Sequence, residues 1–225
     1  MDQSVESALA RAEEALAAGK GLDGTGFWSA VTRVKENPEL ADRYADRIAA
    51  IDDQAFHKWA LLRVPLGMGT TLMVAGTLVG LALIWWAYAL EGLTAAIAFY
   101  LGLGTLLVTT HGLAHLVVGT IAGIRFTSWF IGSITLPQPG VKVDYSTYLR
   151  ASPMRRAWMH ASGAVVTKVI PFALLGAAIA ADLPTWAVWV VVAIGLAAIA
   201  TDILWSTKSS DWKRFRREME FAQPS

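Results

Sequence analysis

The sequence predicts a mainly α-helical, polytopic membrane protein. It has four transmembrane helices, a cytoplasmic β-hairpin loop and an N-terminal helical region. Three observations predict this. Charged residues make up 16% of the chain and hydrophobic ones 55%, whereas a soluble domain carries about a quarter charged residues. The charge is concentrated at the two ends and in one central loop, leaving four long stretches almost without it, and about twenty apolar residues span a bilayer core. Finally, Lys and Arg alternate between the connections as the positive-inside rule requires. The lipid bilayer is therefore the first expected partner, and no nucleic-acid partner is expected.

The net charge of +1 says little; its placement says more. The absence of cysteine excludes disulfides and thiolate metal sites and leaves the redox compartment unreadable. The opening residues are polar and acidic, without the basic start and apolar core of a signal peptide. An internal hydrophobic segment is expected to drive insertion.

Residues 1–63 form the expected cytoplasmic helical region. Leu9, Ala12 and Leu16 recur at helical spacing, and Gly19 and Gly21 end the pattern. Asn37-Pro38-Glu39 reads as a helix start: Asn as N-cap, Pro at the first position, an acid in the first turn. That helix carries Tyr44, Ile48 and Ile51 on one face and runs toward Phe56 and Trp59. No catalytic motif occurs there, which favours an assembly or stability role at the membrane surface.

Residues 64–206 are the expected four-helix core, and 207–225 a basic cytoplasmic tail. The apolar segments lie at about 64–90, 92–124, 157–181 and 184–205. Trp85, Trp86 and Tyr88 near one segment end fit an aromatic belt. Eight Lys or Arg precede the first segment, and none separates the first from the second. Arg125, Lys142, Arg150, Arg155 and Arg156 lie between the second and third, and none between the third and fourth. Lys208, Lys213, Arg214, Arg216 and Arg217 follow the fourth. The alternation places both termini and the central loop in the cytoplasm, and a prokaryotic cytoplasmic membrane is the expected location.

The central loop, 125–156, is rich in β-formers around Trp129 and Phe130. It has a turn signal at Leu136-Pro-Gln-Pro-Gly140 and alternates again from Val141 to Tyr148. A hairpin over about 125–152 is predicted at the membrane face. Ser152-Pro153 reads as the cap and first position of the third membrane helix.

The chemistry centres on Thr110-His-Gly-Leu-Ala-His115 in the second segment. His111 and His115, four apart, project from one helix face. That spacing lets two imidazoles reach one metal ion. Asp202, in the fourth segment, lies about 9 Å of helix rise from Lys208, and His115 roughly 15 Å from Arg125; tilt would bring the two to one depth. A carboxylate inside the bilayer is a functional-site hypothesis, and His111 with His115 are its expected partners. Two His and one carboxylate with a position left open is a catalytic-zinc ligand set. The third segment adds His160 and Lys168, about one and three turns beyond Arg156. His160 reads as an interfacial residue. Lys168 should face the bundle, and a Lys168–Asp202 pair is the structural alternative to metal ligation by Asp202.

These residues resemble the site-2 protease family of intramembrane zinc metalloproteases. His111-Gly-Leu-Ala-His115 looks like its HExxH motif, Ala161-Ser-Gly-Ala-Val-Val-Thr167 like a diverged AGPxxN helix motif, and Asp202 like its late-helix aspartate ligand. The order of histidine helix, hairpin, glycine-motif helix and aspartate helix is also similar, over roughly residues 92–212. The resemblance implies zinc held by His111, His115 and Asp202 and a membrane-spanning protein as substrate or partner. The sequence departs from that family's pattern at four positions. The family's glutamate position is Gly112, its Pro is Ala164, its Asn is Thr167, and Asp202 is followed by Ile203. A lost acid/base costs about 10²–10⁴ in rate, so His160, Lys168 or Asp144 would have to replace it. The expectation is a zinc-binding protein with weak or absent peptidase activity. A non-catalytic membrane scaffold and a small transporter subunit stay open as alternatives.

Overall fold

The computed structural model describes residues 2–134, 139–204 and 210–222. In chain order its elements are α1 (Asp2–Ala17), α2 (Phe27–Glu36), α3 (Pro38–Trp59), β1 (Leu62–Pro65), α4 (Leu66–Ala87) and α5 (Gly92–Ile121). There follow β2 (Phe126–Ile131), β3 (Pro139–Val143), α6 (Tyr145–Arg150), α7 (Pro153–Ala173), α8 (Leu175–Ala180), α9 (Thr185–Leu204) and α10 (Asp211–Glu220). They gather into two compact units. One holds the residues up to Leu66, Gly119–Arg156 and the stretch from Glu218 on; the other holds Gly67–Val118 and Ala157–Arg217.

The first unit is built on the faces the sequence marks. Val5, Leu9, Ala12 and Leu16 of α1 are buried, as are Tyr44, Ile48 and Ile51 of α3. Gly19 follows α1 with a positive φ of 77°, a conformation glycine adopts without a Cβ clash. α3 starts where expected: the Asn37 side chain accepts from the backbone N–H of Glu39 at 2.8 Å, with Pro38 at the first position. The end of α3 packs on the sheet through Phe56, whose ring meets Phe130 edge-on at 5.0 Å.

The hairpin of β2 and β3 is present, antiparallel, with Trp129 opposite Val141. Residues 135–138, which hold most of the expected turn, lie outside the described residues. Two features depart from the sequence reading. A third strand, β1, pairs with β2, with Leu62 opposite Ile131 and Pro65 opposite Ser128. The alternation expected through Tyr148 ends at Val143, because Asp144 caps α6 by accepting from the backbone N–H of Ser146 at 2.9 Å. A side-chain cap outweighs the β-preference of Tyr145 and Tyr148.

The second unit contains helices long and apolar enough to cross a membrane. Four such stretches occur among the described residues: Leu66–Ala87, Gly92–Ile121, Pro153–Ala180 and Thr185–Asp202. Leu72, Leu78, Trp85, Leu101 and Trp189 on these helices are exposed, an apolar surface compatible with lipid contact. The helices approach closely through small residues. A Cβ on Gly102 would lie 2.7 Å from the carbonyl oxygen of Gly80, so α4 and α5 meet backbone to backbone. Beside them the Thr77 hydroxyl hydrogen-bonds that of Thr109 at 2.9 Å. The Tyr100 hydroxyl donates to the Ala187 carbonyl at 2.6 Å and ties α5 to α9. The third stretch starts at Pro153, earlier than the apolar run, because the Ser152 hydroxyl accepts from the backbone N–H of Arg155 at 3.4 Å and sets the helix start.

Candidate metal centre

His111 and His115 lie on α5 one turn apart, with ring centroids 4.8 Å apart and planes nearly perpendicular. Their Nε2 atoms are 3.2 Å apart. The third member of the cluster is Asp211, the first residue of α10: its Oδ2 lies 3.2 Å from His111 Nε2 and 3.2 Å from His115 Nε2. Among the described residues, this is the group of His, Asp and Glu side chains able to hold a metal ion.

The triangle has the dimensions of a metal site. Two donors each about 2.0 Å from one tetrahedral zinc ion lie about 3.3 Å apart, so His111, His115 and Asp211 would suit a single such ion. Charge-assisted N–H···O bonds run about 2.7–2.9 Å. The edges of this triangle are long for hydrogen bonds yet fit the edges of a coordination polyhedron.

Two further features orient the donors. His115 Nδ1 lies 2.7 Å from the Met159 carbonyl oxygen of α7. A carbonyl only accepts, so Nδ1 carries the proton and Nε2 of the neutral ring offers its lone pair to the cluster. This is the usual outer support of a metal-bound imidazole. Gly163, inside the motif at 161–167, supplies the space: a Cβ there would lie 2.4 Å from His115 Nε2 and 2.9 Å from His111 Cε1. Asp211 is largely shielded, its side chain 20% exposed. Burial pushes its carboxyl up, but the two imidazoles beside it more than offset this and hold it well below the usual carboxylate range.

The expected third ligand, Asp202, is elsewhere in the same unit. Its carboxylate is paired with the ammonium of Lys168, which also donates to the Ala164 carbonyl at 2.9 Å. The correction has a simple cause: a half-buried carboxylate takes the cation facing it across α7 and α9, and α10 brings a different aspartate to the histidines. Asp211 carried one sequence signal, as the only acid between Ile203 and Arg217. The candidate bases are also accounted for. Lys168 is engaged with Asp202. Asp144, in the other unit, caps α6 and faces Arg125 at 3.3 Å. His160 is half-buried on α7, and Gly112 is buried between the two histidines of α5.

Comparison of the chain with protein-family models, with curated proteins and with solved structures found no match to any of them.

Proposed function

We propose that this chain is an integral membrane protein that binds zinc through His111, His115 and Asp211, in a site resembling that of the site-2 proteases but with little or no peptidase activity. The observation that carries the metal reading is the 3.2 Å triangle of Nε2, Nε2 and Oδ2 atoms, with a backbone carbonyl fixing the His115 tautomer. Two imidazoles and a carboxylate favour zinc among the common divalent ions. Bound there, zinc would supply Lewis acidity toward a carbonyl oxygen. The chain's own residues hold and shield the site: Met159 and Gly163 seat the rings, and Asp211 balances the ion's charge.

The low-activity reading rests on what surrounds the cluster. Gly112 offers no proton acceptor where the family carries its glutamate. Lys168 is tied to Asp202. The apolar spans and the alternation of basic connections support an integral protein with both termini on the cytoplasmic side.

Metal analysis of the purified chain tests this. About one zinc per chain is expected, lost in His111→Ala and Asp211→Ala and retained in Asp202→Asn. Full occupancy in Asp211→Ala overturns the ligand set. A second reading, a metal-free scaffold for transmembrane partners, is favoured by the Lys168–Asp202 pair and the Thr77–Thr109 hydrogen bond, which join helices without any cofactor. Wild-type protein devoid of metal under zinc-replete purification would select it.

A further inference from the structure

The aspartate that completes the cluster does not sit on an apolar span. It opens α10, and α10 has two faces. On the inner face, Trp212 stacks on Phe215 with ring centroids 5.1 Å apart, and Phe215 meets Trp158 of α7 at 5.7 Å. Asp211 lies on this side, turned to the histidines. On the outer face Lys213, Arg214, Arg216 and Arg217 are all exposed. At 100° per residue these four cover less than half the helix circumference. Among the described residues, no carboxylate forms an ion pair with Lys213, Arg214 or Arg216. A charge run is often a merely solvated face, but three observations here say more. The helix starts soon after α9 ends at Leu204, an apolar span. Its aromatic side chains gather beside Trp158, near the start of another such span. Several Lys and Arg just beyond an apolar span are the composition that attracts anionic headgroups.

We infer that the cationic face of α10 binds the phosphate headgroups of anionic phospholipids, and that this contact holds Asp211 at the histidines. The coupling rests on the metal reading proposed above; the lipid contact does not. Each Lys or Arg near an anionic surface contributes about fivefold in binding. The four cations are attached to a helix whose first residue is a ligand, so lipid that fixes the helix removes freedom that Asp211 would otherwise lose on metal binding. A bilayer rather than a soluble anion is the occupant, because the four cations fan over about 160° of the helix circumference and the helix adjoins two apolar spans.

The test uses the full chain in nanodiscs of phosphatidylcholine alone or with phosphatidylglycerol. The absence of native cysteine allows a single nitroxide label at Glu220→Cys, an exposed position on α10. The expected result is a several-fold drop in the label's accessibility to an aqueous relaxant when phosphatidylglycerol is present. The drop should vanish in the combined variant Lys213→Gln, Arg214→Gln, Arg216→Gln, Arg217→Gln. Equal accessibility in both lipids overturns the lipid contact. In parallel, zinc competition with a chelator should show about fivefold or greater tightening in the anionic discs for the native chain and none for the variant. A label that responds while zinc affinity stays the same overturns the coupling. Absence of zinc binding in both lipids overturns the coupling together with the metal reading, and the label then decides the lipid contact by itself.

Discussion

Replacing Gly163 by alanine tests the geometry of the cluster without touching a ligand. The new methyl would lie 2.4 Å from His115 Nε2, 2.7 Å from its Cε1 and 2.9 Å from His111 Cε1. Non-bonded carbon contacts settle near about 3.5 Å, so the His115 ring must retreat by roughly 1 Å. It cannot pivot freely, because Nδ1 is tied to the Met159 carbonyl at 2.7 Å. Metal–donor distances hold to within about 0.2 Å, so on the proposed zinc reading the retreat would break a coordination bond. Losing outer support of a ligand costs about 10–100-fold in metal affinity; displacing the ligand itself should cost about 100-fold or more. Overpacking costs about 1–3 kcal/mol, partly offset by about 1 kcal/mol of helix propensity, so the fold should survive. Chelator competition in detergent measures the affinity, and circular dichroism reports the fold. Gly104→Ala serves as the control, since a Cβ there meets nothing within 4 Å. A folded Gly163→Ala protein with native zinc affinity would refute the placement of the imidazoles against α7.

Further outcomes are expected. Glu218, 2% exposed, accepts from Arg156 Nε at 2.6 Å, from the Tyr148 hydroxyl at 2.8 Å and from Lys35. Glu218→Gln should cost about 3–5 kcal/mol, since it leaves buried cations unpaired; an unchanged melting temperature would contradict the network. Burial pushes the Glu218 carboxyl up, but Lys35 and Arg156 more than offset it and hold it below its ordinary range. Its stabilisation is therefore complete above the unfolded value of about 4.3 and is lost as pH falls through the lower folded value. The melting temperature of the native chain should drop on acidification below about pH 5, and more steeply than that of Glu218→Gln. Single cysteines at the exposed positions Glu91 and Asp182 should label from outside the cell, and those at Lys20 and Arg214 should not; the reverse pattern would sink the proposed orientation. Finally, the native chain should leave a membrane-spanning reporter uncut. On the proposed reading, Gly112→Glu adds a carboxylate beside His111 at a buried site, so it should either raise zinc-dependent cleavage or lower the melting temperature. Robust zinc-dependent cleavage by the unmodified chain would redirect the search for a base to His160.

By itself the sequence determined what depends on local periodicity and on adjacent residues. The four apolar stretches follow from runs of side chains with almost no charge. The start of α3 at Asn37-Pro38 and of α7 at Ser152-Pro153 follow from capping chemistry confined to a few residues. The pairing of His111 with His115 follows from the helical repeat, since residues four apart share a face. Tertiary structure decided whatever joins residues distant in the chain. The strand β1 was hidden because Leu62–Pro65 is short, contains a proline and runs straight into an apolar helix; only its pairing with β2 reveals it. Asp202 and Asp211 are both aspartates near the end of the last apolar segment, and no local pattern says which one meets the histidines. Lys168 takes the first, and α10 presents the second. The support from Met159 was equally illegible, because every residue carries a carbonyl and only packing selects one. Gly163 was visible as a glycine in a helix motif, but its function is the space it leaves for two imidazoles from another helix, and that is a property of the packed structure alone.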